Sequence, residues 1–401
     1  MRRTPLNRAI FLTLFLLLTV SAAQAGSIFS VNGLGEAVYT ADARLRAMGG
    51  AGLALTEGLS GSLINPALLG GLKLVAVTCS FRPEALYVRD GQEKNVLTAV
   101  RMHDFALYLP LGKRLALGLD LRQQSDFRFK FYQETSVFDK AYKKSVTGTG
   151  GTSLASLSLA RTFGTSLYVG VRVGHLFGRT TKSWTGDFSD ITCRDTQTTS
   201  KMENAGAQLG GGIALRLGRR FSLGAIFTAA HQVEQKETRS SSFSPTVTEK
   251  RTLTYPLTIG LGLAYRPSSK LVAAIDVTGT KWSDFEIDGE PAPGFSDVIR
   301  VAAGCEFMAR KKESTAYIRK IPFRFGYALE PWYLKTAGGK KIYAHFLTLG
   351  IGLPFSRHGA HLDASLELGM RGDASSMGAE EKIVRGTFSI WGFEPWFQRR
   401  K

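Results

Sequence analysis

Leu253-Thr254-Tyr255-Pro256-Leu257-Thr258-Ile259-Gly260-Leu261-Gly262-Leu263-Ala264-Tyr265 is an alternating stretch of thirteen residues. Leu253, Tyr255, Leu257, Ile259, Leu261, Leu263 and Tyr265 fall on one face of an extended chain. Thr254, Pro256, Thr258, Gly260, Gly262 and Ala264 fall on the other. Soluble strands typically run about five or six residues. Crossing a bilayer with a tilted strand takes about 9–11. Comparable runs recur between residues 72 and 393, joined alternately by short turns and long polar stretches. The pattern predicts an all-β chain: a closed antiparallel barrel in an outer membrane.

The strands can be counted from their connections. Short turns are expected at Leu111–Lys113, Phe163–Thr165, Gly218–Arg219, Arg266–Ser269 and Pro354–His358, with a longer one at Ala309–Lys320. Long loops are expected near 83–94, 129–150, 179–203, 235–250, 282–296, 331–341 and 372–381. Seven loops and six turns require fourteen strands, an even number that leaves both ends on the periplasmic side. Parity points Leu115, Leu117, Leu119 and Leu121 outward, and likewise Leu362, Ala364, Leu366, Leu368 and Met370. Arg122, Arg172, Asp363 and Glu367 point inward. Aromatic residues near strand ends, Tyr108, Phe221, Tyr265, Trp282, Phe307, Trp332 and Trp391, are expected to form interfacial girdles. Leu261 or Leu119 is expected to reject arginine. Inward Gly262 or Ala116 is expected to tolerate a polar residue better.

Residues 1–25 read as a signal peptide. Arg2, Arg3 and Arg8 form a basic start, Ile10–Val20 an apolar core too short to span, and Ala23-Gln24-Ala25 a cleavage site. The expected location is the outer membrane of a diderm bacterium, after cleavage near Ala25. Residues 26–71 are the expected lumenal plug, because fourteen strands enclose more space than wall side chains fill. They carry Arg46-Ala47-Met48-Gly49-Gly50-Ala51-Gly52 and Asn65-Pro66-Ala67. Gly49, Gly50 and Gly52 would permit close packing. Asn65 and Pro66 would cap and open a short helix, Pro66–Gly70. The barrel itself takes 72–393, and 394–401 is a basic periplasmic tail.

Enzyme, metal and nucleic-acid classes find little support. The six histidines are scattered, and His358 and His361 have no third ligand near them in sequence. Ser153, Ser156 and Ser158 lie in an alternating strand rather than a nucleophile elbow. Gly148-Thr149-Gly150-Gly151 is followed by neither a helix nor Lys-Ser/Thr. Cys79, Cys193 and Cys305 are far apart and read as small apolar residues, without a disulfide framework or metal site. No catalytic residue, metal or cofactor is expected. The net charge of +18 lies largely in loops, turns and tail, with no recognition element for nucleic acid, and suits anionic lipid headgroups.

The signal peptide, the Ala47-Met48-Gly49-Gly50-Ala51 segment, Asn65-Pro66-Ala67 before the first strand and the fourteen strands resemble the FadL-type outer-membrane transporters. The Arg44 to Ala67 stretch and the Trp396-Phe397-Gln398-Arg399-Arg400-Lys401 tail make the chain more similar to their PorV-like branch. The resemblance implies a hatch inside the barrel and passage of hydrophobic or amphipathic molecules, such as fatty acids, toward a lateral opening. Its PorV-like side implies the alternative, a scaffold or shuttle of a type IX secretion system with protein partners. The inward charges leave two readings open. Arg122, Arg172, Arg216, Arg300, Arg324 and Arg385 could be neutralised by Asp120, Asp276, Glu306, Asp363 and Glu367. Alternatively Arg122, Arg172, Arg216 and Arg324 could hold a ligand carboxylate. Arg324's same-face neighbours Pro322 and Gly326 offer it no carboxylate.

Overall fold

The computed structural model describes residues 26–394, apart from 91–92, 113, 138–139, 189–192, 308–316, 337 and 356–358. The expected signal peptide and most of the basic tail lie outside the described residues. Fourteen strands form the wall. They are β1 Val75–Asp90, β2 Glu93–Pro110, β3 Leu115–Asp126 continued by Phe129–Val137, β4 Lys140–Phe163 and β5 Leu167–Phe188. Then come β6 Thr196–Leu217, β7 Phe221–Thr228 continued by His231–Ser241, β8 Val247–Tyr255 continued by Thr258–Ser268, β9 Leu271–Thr280 and β10 Val298–Phe307. The last four are β11 Phe323–Lys335, β12 Lys341–Pro354, β13 His361–Asp373 and β14 Ala379–Glu394. Neighbours pair antiparallel. β14 pairs with β1 from Val75↔Glu394 to Asp90↔Ala379, which closes the barrel.

The outward face is what a lipid environment selects. Leu261 is 62% exposed, Leu347 66% and Ile299 61%. Their inward neighbours Gly262, Phe346 and Arg300 are buried. Cys79 and Cys305 sit on this outward parity as free thiols.

Four of the long loops expected from sequence are mostly strand among the described residues. β4 is continuous over 24 residues, and β5 and β6 over 22 each. At about 3.3 Å per residue, β4 is roughly 80 Å long, against a hydrocarbon core of roughly 30 Å. The strand residues described within 129–150, 179–203 and 235–250 therefore form paired ladders beyond the apolar belt. β1 and β2 likewise run through most of 83–94. Outside the bilayer both faces of a strand meet water, so these segments carry no apolar alternation, and their Thr- and charge-rich sequence resembles loop.

The opening stretch also breaks its own rule. Leu253 is buried and packs with Phe285, and Tyr255 lines the lumen, whereas Leu257, Ile259, Leu261 and Leu263 face out. The face switches between Tyr255 and Leu257, where Pro256 has no N–H to donate to the ladder. The neighbouring strand switches beside it: Phe227 faces out and Val233 in, across Ala229 and Ala230, which lie between its two segments. The aromatic girdle needs a similar correction. Phe221, Tyr265 and Phe307 are exposed on the outer face. Tyr108 and Trp391 stack inside the barrel, Trp332 is buried beside Phe29, and Trp282 lines the lumen. Tyr108, Trp332 and Trp391 sit on inward parity and meet Leu63, Phe29 and Asp42 there, whereas Trp282 belongs to the loop after β9.

Candidate functional site

Residues 26–72 run inside the wall, held by hydrogen bonds that their own sequence supplies. Asp42 caps a single helical turn, Ala43–Arg46, accepting from Leu45 N at 3.0 Å, and its other oxygen accepts from Trp391 Nε1 at 3.0 Å. Gly49 and Gly50 then turn the chain with φ of 70° and 83°, values that favour glycine. A Cβ on Gly49 would lie 2.2 Å from Tyr327 O, so no other residue fits that approach. Gly52 N and Leu53 N both donate to Asp276 Oδ2, at 2.6 and 2.9 Å. The wall accommodates this chain with its own glycines: a Cβ on Gly304 or Gly326 would strike the Met48 backbone at 2.5 or 2.3 Å.

Asn65 fastens the far end. Its Nδ2 donates to Leu53 O at 2.8 Å and to Ile213 O at 3.1 Å, and its Oδ1 accepts from Ala67 N at 3.1 Å. The cap opens a 3-10 helix, Pro66–Gly71, and Thr162 Oγ1 donates to Gly70 O at 2.7 Å. A Cβ on Gly212 would lie 2.1 Å from Asn65 Oδ1. Asn65→Ala is expected to destabilise the protein by about 1–3 kcal/mol, because buried Leu53 O loses its donor and the helix its cap. Urea unfolding of the purified barrel measures this; a midpoint equal to wild type would mean that Asn65 is not fastening the segment.

The four arginines expected to meet a ligand separate into different environments. Arg324 is held between Glu306 of β10 at 3.1 Å and Asp363 of β13 at 2.6 Å, carboxylates that lie on other strands. Glu306 also takes Arg44 Nε at 2.7 Å. Arg216 lies near the turn end, its guanidinium 5.7 Å from the Tyr168 ring. Arg122 donates to Leu63 O, and Arg172 Nη2 donates to Ser62 O at 2.8 Å. These two share Asp120, at 3.4 and 3.8 Å. Arg300 ties Gly49 O at 3.0 Å to Glu330 at 3.1 Å. Most lumen cations therefore hold residues 26–72 or neutralise wall carboxylates.

Arg122 and Arg172 also line a cavity of about 270 Å³ between that segment and the wall. Leu34, Val38 and Ile64 contribute from the segment, and Leu176, Ile226 and Tyr255 from the wall. The inward turn of Tyr255 at the Pro256 switch opens this space, and Trp282 closes over it from the loop after β9. Sequence periodicity could not have located the cavity, because it follows from that break in parity.

Beside the cavity the wall parts. β2 pairs with β3 only from Asp104↔Arg122 to Pro110↔Ala116. Above that level β3 takes the two-residue strand Glu36–Ala37 as its neighbour, at Asp126 and Ser125. The Arg101–Asp126 ion pair crosses the gap, Arg101 also meets Glu84 at 2.8 Å, and Arg128 meets Asp126 at 2.9 Å. A second cavity, of about 340 Å³, lies in this gap, lined by Met102, His103, Leu121 and Arg128. Arg122, Ser125 and Thr152 line both cavities.

The profile of one family, described as BamG, matches residues 6–401. The chain belongs to the BamG family. No curated protein matches it. Solved structures share the fold of this BamG-family barrel at low identity. A FadL homologue of Pseudomonas aeruginosa is 13% identical with a TM-score of 0.61, over 89% of this chain and 98% of that one. The toluene transporter TodX of Pseudomonas putida is 14% identical with a TM-score of 0.60, over 90% and 99%. The toluene transporter TbuX of Ralstonia pickettii is 15% identical with a TM-score of 0.57, over 92% and 100%. The chain thus shares the barrel fold of the FadL-type structures. Among the described residues no group of three His, Cys, Asp or Glu could hold a metal. His361 meets Asp363 at 3.3 Å, and His358 lies outside the described residues.

Proposed function

We propose that this BamG-family barrel takes up an amphipathic acid of fatty-acid type in the lumenal cavity and releases it sideways into the membrane through the gap between β2 and β3. Residues 26–71 act as the hatch that closes the lumen below, after a signal peptide ending near Ala25 is removed. The observation that carries this reading is the wall shared by the two cavities at Arg122, Ser125 and Thr152. An acyl chain would lie against Ile64, Leu176 and Ile226. The carboxylate would meet Arg122 or Arg172, which replace part of their bonds to Ser62 O and Leu63 O with a charge-assisted pair.

A titration with a fluorescent fatty acid tests it. Arg122→Gln or Arg172→Gln is expected to weaken binding by about 1.5–3 kcal/mol, the scale of a hydrogen bond to a charged group. An uncharged analogue of equal length is expected to bind both variants like wild type, which separates the lost carboxylate contact from any loosening of the segment. Arg216→Gln and Arg324→Gln are expected to leave both ligands unaffected. If wild type binds neither ligand, the passage reading fails.

A second reading, a scaffold for protein partners such as those of a secretion system, is favoured by a different observation. Arg44, Arg300, Arg324 and Arg385 are each engaged with carboxylates of the wall or of residues 26–71, as in a lumen built to stay closed. Failure of ligand binding in the titration would move this reading ahead.

A further inference from the structure

We propose that the turn-side face of the barrel docks an acidic segment of a soluble periplasmic protein, centred on Arg216, Arg219, Arg220 and Arg266. The four arginines come from the β6–β7 hairpin end and the adjoining end of β8. Arg219 and Arg220 lie in the connection from β6 to β7, and Arg266 N donates to Arg220 O at 2.7 Å. Together with Thr56 they line one cleft at the turn-side mouth of the lumen. The single carboxylate lining it is Glu57, which is ion-paired with Arg266. Lys270 is exposed in the next connection along, and Lys73, Arg114 and Arg319 are exposed around the same end. Among the described residues none of Arg216, Arg219, Arg220, Lys270, Lys73, Arg114 or Arg319 has a carboxylate partner.

The opposite end carries exposed cations as well, Lys201, Lys236 and Lys250 among them, but there ion pairs are interleaved with them: Arg179 with Glu203, Arg239 with Glu237, Arg251 with Glu249 and Lys281 with Asp284. Four arginines around one cleft whose single carboxylate is already paired make a local field that selects a complementary surface. Its position selects the class of partner. Lipid touches the outward face, where Arg161 lies over Phe163 at 5.2 Å. Arg216 and Arg266 stand on the lumen side of their strands, where a headgroup does not reach and a protruding acidic segment does. The field of exposed charges decays over roughly 8 Å at physiological salt, so the partner must come close. The connections at 218–220 and 269–270 are short enough to allow it.

The test uses the intact barrel in nanodiscs of zwitterionic lipid and a fluorescent glutamate-rich peptide, read by anisotropy. The expected result is saturable, salt-sensitive binding. It should weaken about tenfold in a Arg219→Glu/Arg220→Glu/Lys270→Glu variant, roughly the sum of three exposed pairs. A Lys340→Glu/Lys341→Glu variant at the other end is expected to bind as wild type. The three changed residues are exposed in turns, and retained heat-modifiability shows that the variant folds. Equal loss in both variants, or binding no tighter than to a serine-for-glutamate peptide, overturns the proposal. So does a wild-type barrel that ignores the peptide but retains anionic lipid through these same residues by native mass spectrometry, since the face would then be a membrane anchor.

Discussion

A barrel lacking Gly26 to Ser62 is expected to fold and to conduct ions. The wall ladder is complete without the segment, from β1 round to β14 and back to β1. The side chains that the segment covers are wall residues with charges: Asp276, Arg300, Glu306 and Glu330. Stripped of their partners in a closed interior they would be costly, but in an opened lumen water solvates them. The residues removed include Ala43, Leu45, Met48 and Ala51, each with no exposed surface, so their volume fills the lumen rather than lining it. A fourteen-stranded barrel without filling is an aqueous channel. Planar-bilayer recordings on the heat-modifiable variant should show conductance well above that of the intact protein. Conductance equal to the intact protein would mean that residues 26–62 do not occlude the lumen.

The second large effect contrasts adjacent residues of one strand. Leu261→Arg is expected to cost roughly 2–4 kcal/mol, the penalty for a cation near the midplane on the lipid face. Leu261 pairs with Ala225 and Val277, well inside the apolar belt. Its neighbour Gly262 faces inward, and polarity alone would make Gly262→Ser harmless. The geometry says otherwise. A Cβ there lies 2.4 Å from Asp276 Oδ1 and 2.7 Å from Leu53 Cβ, and Asp276 is the residue that receives Gly52 N and Leu53 N. Gly262→Ser is therefore expected to cost about 1–3 kcal/mol through overpacking. Ala116, 1% exposed and packed in an apolar cluster with Tyr108, is expected to behave alike. Urea titrations of the refolded barrel in lipid read both effects. A neutral Gly262→Ser would mean that Leu53 does not sit against β8.

These contrasts show what the sequence made legible. Outward leucines and inward charges in β3, β5 and β13 follow from a period of two, and the turns at Gly218–Arg219 and Phe163–Thr165 fixed the strand count at fourteen. The alternation stopped being informative wherever both faces meet the same medium, so the strand residues described within 129–150 and 179–203 resembled loop. It also misled where a strand changes face. Nothing in Leu253 to Tyr265 marks the switch except Pro256, and that switch turns Tyr255 into the cavity. The partners of Arg324 lie on other strands, Glu306 on β10 and Asp363 on β13, and register between strands cannot be read from one strand's composition. Inward glycines looked like spare room in sequence; in three dimensions Gly212, Gly262, Gly304 and Gly326 are the surfaces on which residues 26–72 rest.

The measurement that bears most directly on the central claim is site mapping with a photoactivatable fatty acid on the barrel in lipid, read by peptide mass spectrometry. Label is expected on Ile64, Leu176 or Ile226 around the lumenal cavity, together with Leu121 and Met102 beside the gap. An excess of unlabelled fatty acid is expected to displace the lumenal label. Label confined to outward residues such as Leu261 and Leu347, undiminished by competitor, would contradict it.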